Sequence, residues 1–268
     1  MNTVFSFNSD ELCISVRRLS NNNMAKCHSH SDYEMYFLLE GERCLFVNGE
    51  FYPVRAGDIF LIPPELEHRT LDSGSGGYCR LTANIPAHSI PRQLTGDRVY
   101  FLSPSERSQK RLYSEAKEIT DADLDSAYSS YALLGSVMKM VAVILSESSG
   151  DLPAPVPSES LGRISEIVAY IDLHLTEKIS LSDISEKFFI SEFYLCRLFK
   201  EYTGHTIVDY LTEKRIRKAK RLLAETNESI SSVWRATGFG SASAFGTAFR
   251  RKCGLSAREY RNLARMKS

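Results

Sequence analysis

The stretch "SLSDISEKFFISEFYLCRLFKEYTG" (Ser180–Gly204) is followed by "SISSVWRATGFGSASAFGTAFRRKCG" (Ser229–Gly254), which repeats its pattern. Each copy opens on a serine able to cap a helix, runs through a short apolar segment and turns. Each then restarts at a second serine and ends at a glycine. Leu181 and Ile184 answer to Ile230 and Val233 at an offset of 49, whereas Leu195, Phe199 and Gly204 answer to Phe245, Phe249 and Gly254 at 50. The extra residue falls in the turn, at Gly238-Phe239-Gly240. Two helices around a tight turn are a helix-turn-helix, whose second helix enters the DNA major groove.

A helical wheel assigns the faces. In Ser191–Tyr202 it buries Leu195, Leu198, Phe199 and Tyr202 and leaves Phe193, Arg197 and Lys200 outward. In Ser241–Lys252 it buries Phe245, Ala248 and Phe249 and leaves Ser243, Thr247 and Arg250 outward. With Tyr194, Cys196 and Ala244, the outward residues are the expected DNA-binding set. A plain helical bundle with solvated charges is the competing reading, and the duplication and turn chemistry weigh against it. Between the copies runs "TIVDYLTEKRIRKAKRLLAET" (Thr206–Thr226), where six of the eight residues Lys214–Arg221 are basic. Ile216, Ala219, Leu222 and Leu223 mark one side of it as buried. A helix over Thr206–Leu223 is roughly 27 Å long, near the ~34 Å of a DNA turn, and so suits two reading helices in successive grooves.

The charge is divided to match. The whole chain of 268 residues has 33 basic and 33 acidic side chains, but residues 1–150 carry 14 against 19 and residues 151–268 carry 19 against 14. The second half, at +5, is the one suited to a polyanion. Six scattered cysteines with no C-x-x-C predict free thiols in a cytoplasmic protein. The most apolar run, Tyr131–Leu145, is interrupted by Lys139 and falls short of the ~20 residues of a membrane span, so no membrane partner is expected. "SSGDLPAPVPSES" (148–160) has three prolines and reads as a stiff linker.

The first half is different in kind. From Tyr33 to about Asn84, short apolar segments alternate with turn signals, including Asn48-Gly49, which predicts a small barrel or sandwich. From Ser105 to Ser146 the period becomes helical, with Leu134, Met138, Val141 and Leu145 on one stripe beside Val137 and Ile144. That stripe buries either against its own barrel or against a second copy. In "KCHSHSDYEMYFLLEG" (Lys26–Gly41), His28 and His30 precede Glu34 on a strand. Folded inward with His68, they offer three imidazoles and a carboxylate. Such a set suits a divalent transition metal (Zn, Ni, Mn or non-haem Fe) or the hydroxyls of a ligand.

Residues Ile179–Arg261 resemble the AraC-type (AraC/XylS) transcription regulators, through "SEFYLCRLFKEYTG", "RIRKAKRLL" and "TGFGSASAFGTAFRRKCGLSAREYR". The family's packed alanine is Trp234 in the second unit and Ser185 in the first; the proline of its terminal motif is Ala257, with Ser256 and Glu259 still able to form a capping box. Gly246 and Thr247 replace a longer reading side chain, making the second unit the weaker reader. His28, His30, Glu34 and Gly41 match the first cupin motif, and Gly57, Pro63 and His68 the second. Departures are Asn22 and Glu65 at motif glycines and Asp72 at a terminal asparagine.

The resemblance implies two domains: an all-β cupin-like barrel with appended helices, then an all-α DNA-binding domain with two helix-turn-helix motifs. The expected boundaries are 1–104 for an effector-sensing barrel, 105–147 for a helical dimerisation segment, 148–160 for the linker and 161–268 for the DNA-binding domain. His28, His30, Glu34, Tyr36 and His68 are the expected effector-binding residues, with His28, His30, Glu34 and His68 also the metal set. The implied function is ligand-responsive, sequence-specific transcriptional regulation. Its expected partners are double-stranded DNA, a sugar or other small metabolite, a second copy of the chain, and RNA polymerase if it activates. The alternative is a metal-dependent cupin enzyme carrying a DNA-binding appendage.

Overall fold

A computed structural model describes residues 2–9, 12–20, 27–47, 49–72, 76–91, 98–148, 152–155 and 159–266. The chain divides into two compact units, 1–157 and 158–268, and each is described by itself.

Among the described residues, the first unit has nine antiparallel strands in two sheets. The larger has the order β1 (Asn2–Asn8), β2 (Cys13–Ser20), β8 (Gly77–Ile85), β3 (Tyr33–Glu40), β6 (Ile59–Ile62), β9 (Tyr100–Leu102). The smaller runs β5 (Glu50–Arg55), β4 (Glu42–Val47), β7 (His68–Asp72). Strand pairing therefore begins at residue 2, not at Tyr33, and β9 follows the predicted barrel segment. Asn48 lies outside the described residues, and β4 and β5 pair with Val47 opposite Glu50. Because side chains alternate faces, β3 is buried on both. Tyr36 and Leu38 join Leu45, Val47, Val54, Phe60 and Ile62 in the interior between the sheets. Met35 and Phe37 join Ile14, Val16, Leu81 and Ala83 on the opposite face, under two helices.

Those helices are α1 (Glu106–Thr120) and α2 (Ser129–Glu147), so the helical stretch is broken at 121–128. The α2 face turned into the core is Leu133, Val137, Met140, Val141, Val143 and Ile144. Leu134, Met138 and Leu145 are only partly buried on its flank. Half of the predicted stripe is thus satisfied within its own unit. By length and composition α2 could cross a membrane, but its apolar face is spent in this core.

The second unit is helical: α3 (Glu159–Leu173), α4 (Leu181–Lys187), α5 (Glu192–Thr203), α6 (Ile207–Glu225), α7 (Ile230–Ala236), α8 (Ala242–Cys253) and α9 (Ala257–Met266). The repeat survives residue by residue: α7 is α4 displaced by 49, and α8 is α5 displaced by 50. Ser180, Ser191, Ser229 and Ser241 all cap their helices by accepting from a backbone N–H three residues on. Gly204 (φ 75°) and Gly254 (φ 71°) close α5 and α8 in the left-handed region, donating to the carbonyls of Lys200 and Arg250.

The second turn also needs its glycine. Gly238 has φ 81°, and a Cβ there would lie 2.7 Å from Thr176 Cα and 2.8 Å from the Leu175 carbonyl oxygen. The equivalent position of the first turn holds Phe189, with φ 53° and its ring exposed. Two wheel assignments change: Tyr202 and Ala248 are half-buried, whereas Thr203 is fully buried, its hydroxyl donating to the Phe199 carbonyl at 2.7 Å.

Candidate functional site

The first site lies at one end of the barrel interior. His28 and His68 form an isolated antiparallel bridge, each N–H donating to the other's carbonyl at 3.0 Å. The Glu65 N–H donates to the His30 carbonyl at 2.7 Å, tying the turn after β6 to the segment before β3. These backbone bonds bring three imidazoles onto buried Glu34. Oε2 of Glu34 lies 3.0 Å from His30 Nε2, 3.4 Å from His68 Nε2 and 3.8 Å from His28 Nε2. One ligand atom from each of the four lies within 4.8 Å of the others.

Outer hydrogen bonds fix which nitrogens face the cluster. His30 Nδ1 meets the Asp32 carbonyl at 2.7 Å, and His68 Nδ1 meets the Leu66 carbonyl at 2.9 Å. A carbonyl only accepts, so both Nδ1 atoms carry protons and both Nε2 atoms point inward. Burial alone would lower the His30 imidazole, but the hydrogen bond and charge of Glu34, with the Asp32 carbonyl, raise it overall. Burial would raise Glu34, yet the imidazoles of His28, His30 and His68 gathered against it hold it well below the usual carboxylate range.

Two motif departures acquire physical meaning. Glu65 adopts φ 64°, the left-handed conformation that the motif glycine takes freely. Asp72 supplies a carboxylate to Arg43, a cation with a fully buried side chain that also lies over the Tyr78 ring. Asn22 lies outside the described residues. Tyr36 is fully buried, stacked 4.7 Å from Phe60. Sequence reading missed Arg80, whose guanidinium carbon lies 5.5 Å from the centre of the Tyr36 ring. Its signal was the alternation of Tyr78, Arg80, Thr82 and Asn84 with Cys79, Leu81, Ala83 and Ile85 along β8.

The second site is the pair of helices α5 and α8. Phe193, Cys196, Arg197 and Lys200 are exposed on α5, with Tyr194 half-buried; Ser243, Ala244, Thr247 and Arg250 are exposed on α8. Arg251, absent from the expected set, is exposed beside Arg250. Part of the basic run on α6 is engaged within the unit. Lys214 pairs with Asp172 at 2.9 Å, and Arg215 donates to the carbonyls of Leu175 and Glu177 at 2.8 Å each. Those cations stitch α6 to the end of α3 and the loop beyond it.

The helix-turn-helix domain family matches residues 184–263, and the cupin domain family matches residues 17–83. The chain is 27% identical over 236 residues to an uncharacterised helix-turn-helix transcriptional regulator, YobQ of Bacillus subtilis, covering 88% of each chain. It is 23% identical over 235 residues to the Msm operon regulatory protein of Streptococcus mutans, covering 86% of this chain and 84% of that one. Over 99 residues it is 35% identical to the transcriptional activator RhaS of an Enterobacter species, covering 37% and 36%.

The chain is a DNA-binding transcriptional regulator with an AraC-type helix-turn-helix domain. Its cupin domain precedes its DNA-binding domain, and the departures from the AraC-type pattern are accommodated locally. Trp234 is half-buried at the edge of the cluster formed by Ile216, Ala219, Leu223, Val233, Phe245 and Phe249, with Arg235 over its ring. Ala257 is buried where the AraC-type proline stands, and α9 keeps its capping box. The Ser256 N–H donates to Glu259 at 2.7 Å, and the Glu259 N–H returns to Ser256 at 3.3 Å.

Proposed function

We propose that the barrel holds a small polar effector against His28, His30, Glu34, Tyr36 and His68, and that occupancy changes transcription through the residues exposed on α5 and α8. The observation that carries this is the convergence of three imidazoles on one buried carboxylate, in a chain that also presents two capped reading helices. A buried polar cluster of this kind discriminates strongly for ligands that satisfy it, because unpaired partners cost about 1–3 kcal/mol each. A sugar or other hydroxylated metabolite has the matching groups. The protein works in the cytoplasm as a homodimer on double-stranded DNA and acts as a regulator rather than a catalyst. Its resemblance to regulators along most of their length supports that reading.

The donor set also fits a divalent transition metal. His30 and His68 have the outer Nδ1 hydrogen bonds that orient metal-binding imidazoles, and His28 Nε2 and the Glu34 carboxylate complete four donors. When bound, such an ion would give ligand oxygens a Lewis-acidic partner. The test is transcription from a responsive promoter. His30→Ala and Glu34→Gln should abolish the effector-dependent change while DNA binding persists. Elemental analysis showing about one metal per chain, lost in both variants, would establish the metal form. Variants that respond as the parent does would place the effector elsewhere.

A further inference from the structure

Beyond the histidines, the interior face of the larger sheet carries a second group of polar side chains. Register places Ser15 opposite Thr82 and Arg17 opposite Arg80, while on the other side of β8 Tyr36 lies opposite Thr82 and Leu38 opposite Arg80. Glu34 and Tyr36, two residues apart on one strand face, are about 7 Å apart along it. The two groups are therefore close enough for one small molecule to touch both.

The charges in this second group do not balance. Arg43 has Asp72, but among the described residues no carboxylate pairs with the half-buried Arg80, whereas Arg17 is exposed. Glu34 is already engaged by the imidazoles. The buried Nε of Arg80 and the fully buried Oη of Tyr36 make no hydrogen bond of normal geometry. Leaving such groups unpaired costs stability unless another molecule supplies the partner. A guanidinium and a phenol hydroxyl donate together to an anion's oxygens, and a carboxylate or phosphate matches the guanidinium fork.

We propose that the effector is an anionic polyhydroxy compound, a sugar acid or a sugar phosphate. Its hydroxyls meet the His–Glu cluster, and its anionic group accepts from the Arg80 guanidinium and the neighbouring Tyr36 hydroxyl. This rests on the effector reading of the barrel and adds the class of ligand.

The experiment is calorimetric titration of the full chain with matched probes: glucose, glucuronate and glucose 6-phosphate, and the galactose set alongside. An anion should bind at least tenfold more tightly than its neutral parent, and the two anions separate carboxylate from phosphate. Arg80→Gln and Tyr36→Phe should bring the anion's affinity down to that of the neutral sugar, while Arg80→Lys restores part of it. Circular dichroism checks that each variant is folded. The proposal is overturned if no anion binds, if neutral sugars bind equally well, or if Arg80→Gln leaves anion affinity unchanged. Neutral-sugar binding that is lost in His30→Ala would then leave the effector reading standing and remove only the anionic class.

Discussion

Single residues record where the backbone pays for its shape. Glu65 and Phe189 are held in the left-handed region, which disfavours side chains by about 1–2 kcal/mol, partly offset in glycine by about 0.5–1 kcal/mol of chain entropy. Glu65→Gly is therefore expected to stabilise the protein by up to about 1 kcal/mol in chemical denaturation. Gly238→Ala should do the opposite, costing roughly 2 kcal/mol or more, because its Cβ would meet backbone atoms that cannot rotate away. A loss in the first variant, or none in the second, would contradict the conformations assigned here. The reading residues are ranked by chemistry. Arg197→Ala should weaken operator binding by about 1–3 kcal/mol and relax specificity at one base pair, whereas Thr247→Ala should cost less because a hydroxyl has no bidentate fork. Footprinting titrations over single-base operator variants would show the order, and a larger loss at Thr247 would reverse it.

Among the elements, α2 has the divided role. Val141 is 2% exposed inside its own unit, so Val141→Glu buries a charge and should unfold the domain whatever the oligomeric state. Leu134, Met138 and Leu145 are only partly covered, and they are the part of the stripe still able to meet a second copy. Met138→Glu should leave the circular dichroism spectrum intact and make the proposed homodimer monomeric in sedimentation. A parent protein already monomeric at tens of micromolar would remove the dimer from the scheme. The helical period was readable across 105–146, but a wheel drawn on one helix cannot say which neighbour covers each side of its stripe. Neighbour identity split this stripe: α1 and the larger sheet took Val137, Val141 and Ile144.

For the whole molecule, charge is organised by half. The acidic first half and basic second half cancel to zero, so net charge hides the DNA-binding side. Arg197, Lys200, Arg250 and Arg251 are exposed on α5 and α8, while Lys214 and Arg215 are engaged internally. If those four exposed cations each neutralise a phosphate, log affinity should fall with log salt at a slope of about −3 to −4. Affinity indifferent to salt would argue against phosphate contact by these helices. A slope steeper than about −6 would recruit the α6 run as well.

The helix-turn-helix repeat was determined by the sequence itself, because caps, closing glycines and apolar period act over a few residues. Ser191 and Ser241 accept their hydrogen bonds from residues three positions away, and no distant contact is needed to place them. The strand character of β2 was local too, though the barrel was expected to begin only at Tyr33: Ile14 and Val16 alternate with Ser15 and Arg17. Only the tertiary structure decided what lies across from each residue. It brought His68 onto Glu34 from 34 residues away, set the Nδ1 protons of His30 and His68 through backbone carbonyls, and left Arg80 facing Tyr36 without a carboxylate. It also turned Lys214 and Arg215 from a basic run into internal ties. A charge or a ligand atom acquires its role from its partners, and partners joined through folding are not written in the spacing along the chain.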